Sequence, residues 1–424
     1  MAVAAGAGEP LTGHRWSKAW AALGLLAVVR VVTSTYTGWA ALEALQWAGM
    51  VLIAMLSAEI FRSPRWRTAL AVAMVIGMGG QHLIDVSLLL LGEFSGFAPQ
   101  QTLLGMGYDN VRFLNHVQSV AWPLLAIVAT GSAGSTLLRR GAFACMVLLA
   151  AVAWASGARA TTLAWLASMA LTAAWAGPAG RRVVRQCLLA GACAVPIFWL
   201  VWVATPHLLD LPVGTDLVTR LNEPTGRSAR HELLVSAWSQ WREHMWWGIG
   251  PMHLAAQAQV HANHPHNIYL QLFVEWGAPI AMLLLGLLLA GCVARWRRWL
   301  AAGGTSTDLA AAGALMAVVS GSVDAAFSGN AVMPVSQIWL ATAWGIWMGS
   351  TPAPSDRSAS PWIGRSLAVL VLLGFAAMGP VVSRQWSELD RLLKSALSDQ
   401  AATRLQPRFW SHGRIVPGGA TSTP

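Results

Sequence analysis

Two neighbouring residues, His266 and Asn267, combine a titratable and a polar side chain at the boundary between a polar and an apolar segment. They lie in the segment HPHNIYLQLFVEWGAPI, where a stretch rich in tryptophan and histidine meets a long apolar run. Histidine is the side chain that most readily exchanges a proton near neutral pH. We expect the apolar run to continue into a membrane span and to fix His266 at its mouth. A base at that place can act on a polar group carried by a lipid.

Four histidines fall within fourteen residues: His253, His261, His264 and His266. Imidazole is a common zinc ligand, so a metal site is the alternative to a general base. No cysteine lies near these histidines, the HExxH pattern is absent, and Asn263 and Pro265 break the i, i+4 spacing of helical ligands. We therefore expect no metal ion and no other cofactor. His266 is the candidate base, and His264 and Asn267 are candidates for substrate contacts. The remaining histidines are expected to have solvent or backbone partners.

Arginines are the second group of candidates, because a guanidinium group binds phosphate oxygens bidentately and stays charged at every relevant pH. Arg159 lies in SGARATT at the end of an apolar run, and Arg227 and Arg230 precede a helix candidate in GRSARHELL. Two or more such arginines facing one pocket can hold a pyrophosphate without a metal ion. An arginine at the end of a span also commonly reaches to the membrane interface, which is the competing interpretation for Arg159.

The composition places these residues in a polytopic membrane protein. Of the 424 residues, 55% are apolar and 11% are charged, with a mean hydropathy of +0.52. Soluble domains carry about a quarter charged residues. The net charge of +10 comes from arginines that separate apolar runs, which indicates membrane anchoring rather than nucleic-acid binding. The four cysteines lie in or beside apolar segments without CxxC spacing, which argues against a disulfide or metal framework.

We predict eleven membrane spans and leave open a twelfth, which would return the C-terminus to the cytoplasm. The spans fall at residues 18–36, 40–61, 68–92, 114–133, 141–157, 161–178, 186–204, 278–294, 309–327, 332–349 and 365–382. Arginines cluster after the second, fourth, sixth and eighth spans, which puts those loops and the N-terminus in the cytoplasm. The long segment 205–276 and the turn with Arg159 then face outward. An arginine on that side departs from the positive-inside rule, which favours a functional role for Arg159.

The chain therefore divides into four regions: N-terminal transmembrane helices (1–204), an outer catalytic loop (205–276), C-terminal transmembrane helices (277–382) and a tail (383–424). Within the loop, residues 228–244 predict a helix with one apolar face, and the tail has the spacing of an interfacial amphipathic helix. Arg30 and Asp85 lie inside predicted spans, where an unpaired charge costs ~2.5 kcal/mol or more, so we expect them to pair. Asp324 is expected either to bind an acceptor sugar or to cap a turn.

Three segments together resemble a known superfamily. HNIYLQLFVEWG (266–277) resembles the His-Asn-x9-Gly motif of the superfamily of O-antigen ligases, O-antigen polymerases and protein O-oligosaccharyltransferases. RHELLVSAWSQWREHMWWGIG (230–250) and SGAR (156–159) are similar to the elements that precede that motif. Ile280 and Met245 replace a glycine and a proline of the family pattern, and neither position carries a proposed reactive group.

The resemblance implies an all-α glycosyltransferase of the GT-C-like type in the bacterial inner membrane, with one large periplasmic loop of short helices. Its donor would be O-antigen linked to undecaprenyl pyrophosphate, and its acceptor a sugar hydroxyl of lipid A–core. The transfer would be inverting and independent of metal ions. Arg159 and Arg230 would hold the pyrophosphate and His266 would be the base on the acceptor. We further expect a monomer that contacts membrane lipids and no nucleic acid.

Three other functions compete with this ligase interpretation. An O-antigen polymerase would use the same donor with a lipid-linked acceptor. A protein O-oligosaccharyltransferase usually carries a sizeable C-terminal periplasmic region, and the tail of about forty residues argues against it. A transporter or flippase would place its charges near the middle of the membrane in broken helices, whereas most candidate residues here lie in an outer loop.

Overall fold

A computed structural model describes residues 14–350 apart from positions 106, 109, 132–133, 213–228, 257–263 and 302–307. The described part of the chain is helical and contains no β-strand. This confirms the predicted all-α class. Arg227, His261, the predicted span at 365–382 and the tail from 383 lie outside the described residues.

The helices follow the predicted spans closely. They are α1 (His14–Val32), α2 (Thr37–Arg62), α3 (Pro64–Phe94), α4 (Val111–Thr130), α5 (Thr136–Ala155), α6 (Arg159–Trp175), α7 (Gly177–Trp199), α8 (Thr205–Leu208), α9 (Ala229–Glu243), α10 (Ile268–Trp276), α11 (Ala278–Ala301), α12 (Leu309–Asp324) and α13 (Pro334–Gly349). A π-helical turn (Leu200–Ala204) links α7 to α8, and short 3₁₀ turns occur at Gln101–Leu103 and His253–Ala256. Each of the first ten predicted spans overlaps one long helix.

Several described stretches are long and apolar enough to cross a bilayer: Thr37–Arg62, Arg65–Phe94, Val111–Thr130, Thr136–Ala155, Gly177–Leu208 and Ala278–Arg297. Leu309–Asp324 is a shorter apolar helix. The chain is therefore a multi-pass membrane protein.

Local sequence signals explain where several helices begin. Asn110, Ser135, Asn267 and Asp308 each accept a hydrogen bond from a backbone N–H in the first turn of α4, α5, α10 and α12. Asparagine, serine and aspartate are the preferred residues at this capping position, because their short side chains satisfy N–H groups that lack a helical partner.

The chain forms two compact units, and the candidate residues are divided between them. The first unit comprises residues 1–52, 227–302 and 352–424, and the second comprises residues 53–226 and 303–351. In the first unit α1 lies against α11, and α9 lies against α10. In the second unit α4 is surrounded by α5, α6, α7, α12 and α13. Every residue of α4 from Phe113 to Ala126 is buried, as expected for a helix enclosed by protein.

Two glycines of α13 let this helix approach α2 at backbone contact. A Cβ atom on Gly345 would collide with the carbonyl oxygen of Ala54, and one on Gly349 would lie 2.6 Å from that of Ala58. The pairs are spaced four residues apart on both helices, which is the small-xxx-small pattern of closely packed membrane helices. Dispersion contacts between the backbones therefore hold α2 and α13 together.

We predict that Gly345→Ala destabilises the protein by about 1–3 kcal/mol, because the added methyl group overpacks this contact. Gly80→Ala on α3 is the matched control, since no atom lies within 4 Å of the position of its Cβ. The control should be neutral or stabilise the helix by up to about 1 kcal/mol. The melting temperatures of the purified variants in detergent test this pair, and equal values for both would contradict the packing interpretation.

Candidate active site

The spacing of the His-Asn-x9-Gly segment equals the length of one short helix. Asn267 begins α10, and its side-chain oxygen accepts the N–H of Leu270 at 3.0 Å. Gly277 ends α10 with a φ of 80°. The helix that directly follows His266 is thus α10, so His266 lies one short helix before the membrane span and not at its mouth. The predicted start of that span at residue 278 agrees with the start of α11. The helix α10 itself was not predicted as a separate element.

The backbone of His266 adopts a left-handed conformation with a φ of 52°. Its N–H donates to Nδ1 of His264 at 3.2 Å, and the two imidazole rings meet edge to face with centroids 4.2 Å apart. His264 is buried, whereas His266 is half-buried. Since Nδ1 of His264 accepts this hydrogen bond, its neutral form carries the proton on Nε2. His264 and the cap at Asn267 therefore fix the backbone of His266 from both sides.

The loop before the motif runs alongside the junction of α10 and α11 in close backbone contact. Ile249 N–H donates to the carbonyl of Val274 at 2.8 Å, and Gly250 N–H donates to that of Glu275 at 3.0 Å. A Cβ on Gly248 would lie 2.6 Å from the carbonyl oxygen of Glu275, and one on Gly277 would lie 2.5 Å from that of Trp246. Both glycines also have positive φ, so no other residue fits there without strain.

A buried carboxylate connects the same loop to α10. Glu275 is fully buried, and its Oε1 accepts the N–H of Leu254 at 3.0 Å while its Oε2 accepts from Nε2 of Gln271 at 3.2 Å. No role was predicted for Glu275 from the sequence. Its place in α10, beside Val274 and Trp276 in an apolar run, was the available signal, because a buried acid requires partners.

His253 and Arg30 both bind backbone groups in the first unit. The Nδ1 of His253 lies 2.8 Å from the carbonyl of Pro251, and its Nε2 accepts the N–H of Tyr36 at 3.1 Å. Both ring nitrogens are thus engaged, which agrees with the expected backbone partners. Arg30 is buried and donates from Nη2 to the carbonyl of Gly248 at 3.1 Å. It therefore links α1 to the loop of residues 246–250, the glycine loop.

Asp85 has partners inside the second unit. Its Oδ1 accepts the N–H of Gly105 at 2.9 Å and Nε2 of Gln81 at 3.1 Å. Burial, and then the nearby charge of Asp85, raise the pKa of the Tyr108 phenol, so Tyr108 stays a protonated donor. The ion pair between Arg30 and Asp85 stays a prediction.

Arg230 is the second residue of α9, and its side chain is exposed. The predicted helix at 228–244 is confirmed, but only part of its predicted apolar face is buried. Leu233 and Ala237 are buried, whereas Leu234 and Trp238 are exposed. The exposed tryptophan suits a surface that meets lipid headgroups.

Arg159 begins α6 in the second unit, directly after the turn that ends α5. Gly157 in this turn has a φ of 67°, and the N–H of Arg159 donates to its carbonyl at 2.9 Å. The Arg159 side chain is exposed and makes no hydrogen bond within the described residues. It is thus available to a ligand.

Two further observations bear on the alternatives from the sequence. Asp324 is fully buried, and its Oδ2 accepts from the hydroxyl of Ser328 at 2.7 Å, a bond between two side chains across the turn that follows α12. Both roles expected for Asp324 stay predictions. Among the described residues, no three His, Cys, Asp or Glu side chains meet as potential metal ligands.

Comparison with known families points to one class of protein. A family model described as O-antigen ligase matches residues 144–285, a third of the chain. This range contains the SGAR turn, α9 and the whole of α10. Residues 144–285 are therefore similar to the O-antigen ligase family. This match supports a glycosyltransferase of the O-antigen ligase and polymerase type. No curated protein matches it significantly.

We predict that His266→Ala and His266→Gly both abolish glycan transfer, because each removes the imidazole. They should differ in stability, since the left-handed conformation costs a residue with a Cβ atom about 1–2 kcal/mol. His266→Gly should therefore melt at a higher temperature than His266→Ala. Transfer assays and thermal unfolding of both purified variants test this, and a wild-type transfer rate in either variant would remove His266 as the base.

Proposed function

We propose that the protein is an O-antigen ligase, which transfers O-antigen polysaccharide from undecaprenyl pyrophosphate to a sugar hydroxyl of lipid A–core. One observation carries the proposal: the matched family domain, residues 144–285, contains every candidate residue, namely His264, His266, Asn267, Arg159, Arg227 and Arg230. The active site lies on the periplasmic face of the inner membrane, at the outer ends of the apolar helices.

The reaction is a single displacement at the anomeric carbon. The acceptor oxygen forms the new bond to that carbon, and the bond to the pyrophosphate oxygen breaks with its electron pair on the leaving group. The proton of the acceptor hydroxyl passes to the imidazole of His266. A sugar hydroxyl is a poor nucleophile until its proton has a place to go, which is the task of a general base. One displacement inverts the anomeric configuration.

The arginines stabilise the leaving group. Negative charge develops on the pyrophosphate as its bond to the sugar breaks, so fixed cations stabilise the transition state more than the bound donor. Arg159, Arg230 and Arg227 supply these cations in the proposal. His264 and Asn267 lie beside the base and contact the acceptor sugar while they hold the backbone of His266.

An O-antigen polymerase is the nearest alternative, and a protein O-oligosaccharyltransferase is the next, because both belong to the resembled superfamily. The lipopolysaccharide of a deletion strain separates ligase from polymerase. A ligase strain loses the whole O-antigen ladder while the lipid-linked polymer accumulates. A polymerase strain keeps a band of core with one repeat, and that band would overturn the ligase proposal.

Arg159→Ala and Arg230→Ala should each weaken binding of undecaprenyl pyrophosphate by about tenfold or more, as expected for a lost hydrogen bond to a charged group. The lysine variants should recover only part of the affinity, because lysine lacks the bidentate fork. Arg242→Ala at the other end of α9 is the control and should bind normally. Titration of the lipid into nanodisc-embedded protein measures the affinities. Unchanged binding in both alanine variants would remove these arginines from the phosphate site.

Transfer by the purified enzyme should persist in EDTA without added divalent cations. The reason is that the outer loop supplies arginines for the electrostatic work that a metal ion would otherwise do. The assay uses purified donor and lipid A–core, with and without chelator. An enzyme that EDTA inactivates and zinc or magnesium restores would favour the histidine metal site instead.

A further inference from the structure

Asn115 is a buried residue of α4 that contacts both ends of the turn carrying Arg159. Its Nδ2 donates to the hydroxyl of Ser156 at 2.8 Å, and its backbone carbonyl accepts from the hydroxyl of Thr161 at 3.2 Å. Ser156 ends α5, and Thr161 lies in the first turn of α6. Arg159 lies between these two contacts in the sequence.

Asn115 is itself held in place by a network of buried polar groups. Its Nδ2 also donates to Oε1 of Gln118 at 2.9 Å, and Nε2 of Gln118 lies 2.8 Å from Nε2 of His82 on α3. Nδ1 of His82 lies 2.6 Å from the carbonyl of Met78. The tautomer of His82 with its proton on Nδ1 satisfies every one of these contacts. A fully satisfied buried network is rigid, and it fixes the position of the Asn115 side chain.

The turn itself offers Arg159 little other restraint. The Arg159 guanidinium is exposed and has no hydrogen-bond partner in the part of the chain that the structure describes. The region that the guanidinium can reach therefore depends on the position of the Arg159 Cα, which the backbone of residues 156–161 sets. Gly157 in this turn has a positive φ, a region in which glycine moves more freely than other residues. The two hydrogen bonds of Asn115, at Ser156 and at Thr161, restrict the turn on both sides of Arg159.

We propose that Asn115 is a positioning residue for Arg159, which holds its guanidinium where the pyrophosphate of the donor binds. The proposal rests on the proposed function, because the position of Arg159 matters only if Arg159 contacts the donor. Displacement of a binding group by about 1 Å can cost on the order of a hundredfold in rate, so a small movement of this turn has a large effect.

A double-mutant cycle tests the proposal. Asn115→Asp keeps the shape of the side chain but replaces the donor toward Ser156 and Gln118 with an acceptor. We expect Asn115→Asp to raise the Kd for undecaprenyl pyrophosphate by about tenfold in the wild-type chain and to add nothing in the Arg159→Ala background. A residue that matters only for folding would lower stability equally in both backgrounds and would show no such coupling in affinity.

Ser320→Ala is the matched control. The Ser320 hydroxyl donates to the carbonyl of Ser119 at 2.7 Å, so it is a buried hydrogen bond to the same helix that does not reach the turn. Ser320→Ala should be less stable than the wild type by the contribution of one buried hydrogen bond. Its affinity for undecaprenyl pyrophosphate should equal that of the wild type. Equal losses of affinity in Ser320→Ala and Asn115→Asp would overturn the proposal.

The remaining outcomes separate this inference from the proposed function. If Arg159→Ala binds undecaprenyl pyrophosphate normally, the phosphate role of Arg159 is wrong and the inference falls with it. If Arg159→Ala weakens binding but Asn115→Asp adds its full loss in that background, the inference alone is wrong. Should Asn115→Asp fail to fold, Ser156→Ala and Thr161→Val each remove one of the two contacts, and the same coupling with Arg159→Ala is expected.

Discussion

The backbone contact between the glycine loop and the junction of α10 and α11 is the constraint on which the candidate site of the first unit depends. Gly248 lies so close to the carbonyl oxygen of Glu275, and Gly277 to that of Trp246, that neither position tolerates a Cβ atom. This contact fixes the end of α10, and the capped start of α10 then fixes the backbone of His266, which lies directly before the capping residue Asn267. Two buried side chains reinforce this contact. Arg30 donates to the carbonyl of Gly248 in the loop, and Glu275 accepts the N–H of Leu254 just beyond it. A reactive side chain is thus positioned by groups that take no part in the chemistry.

The sequence predicted the architecture well because the governing signals are local. Apolar length, the arginines between spans and the capping residues are each contained in a short window, and ten predicted spans overlap observed helices. The short helix α10 was not predicted as a separate element, since it is as apolar as α11 and hydropathy does not register a change of φ at one residue. Half of the apolar face of α9 was also misplaced, because the periodicity of a helix does not say which neighbours cover it.

The candidate residues show where such reasoning ends. His266 and Arg159 were predicted as site residues from their residue types and from their places at the ends of apolar runs. Asn115 and Glu275 were missed as supporting residues, because their roles depend on partners distant in the sequence. Asn115 reaches Ser156 across 41 positions, and Glu275 reaches Leu254 across 21. A polar residue inside an apolar run was the one available sign, and it does not reveal which partner it meets.

The burial of α4 has a consequence for how the chain assembles in the membrane. This helix carries Asn115, His116, Gln118 and Ser119 within little more than one turn, all buried among other helices. Alone in lipid, Asn115 and Gln118 would lose the hydrogen bonds that Ser156 and His82 of other helices supply, and the cost of desolvating these polar groups would oppose insertion. Helix α3, which carries His82, is synthesised before α4, and α5, which ends at Ser156, follows it. The order of translation therefore delivers the partners of α4 on either side of it, and α3, α4 and α5 are expected to leave the translocon as one group.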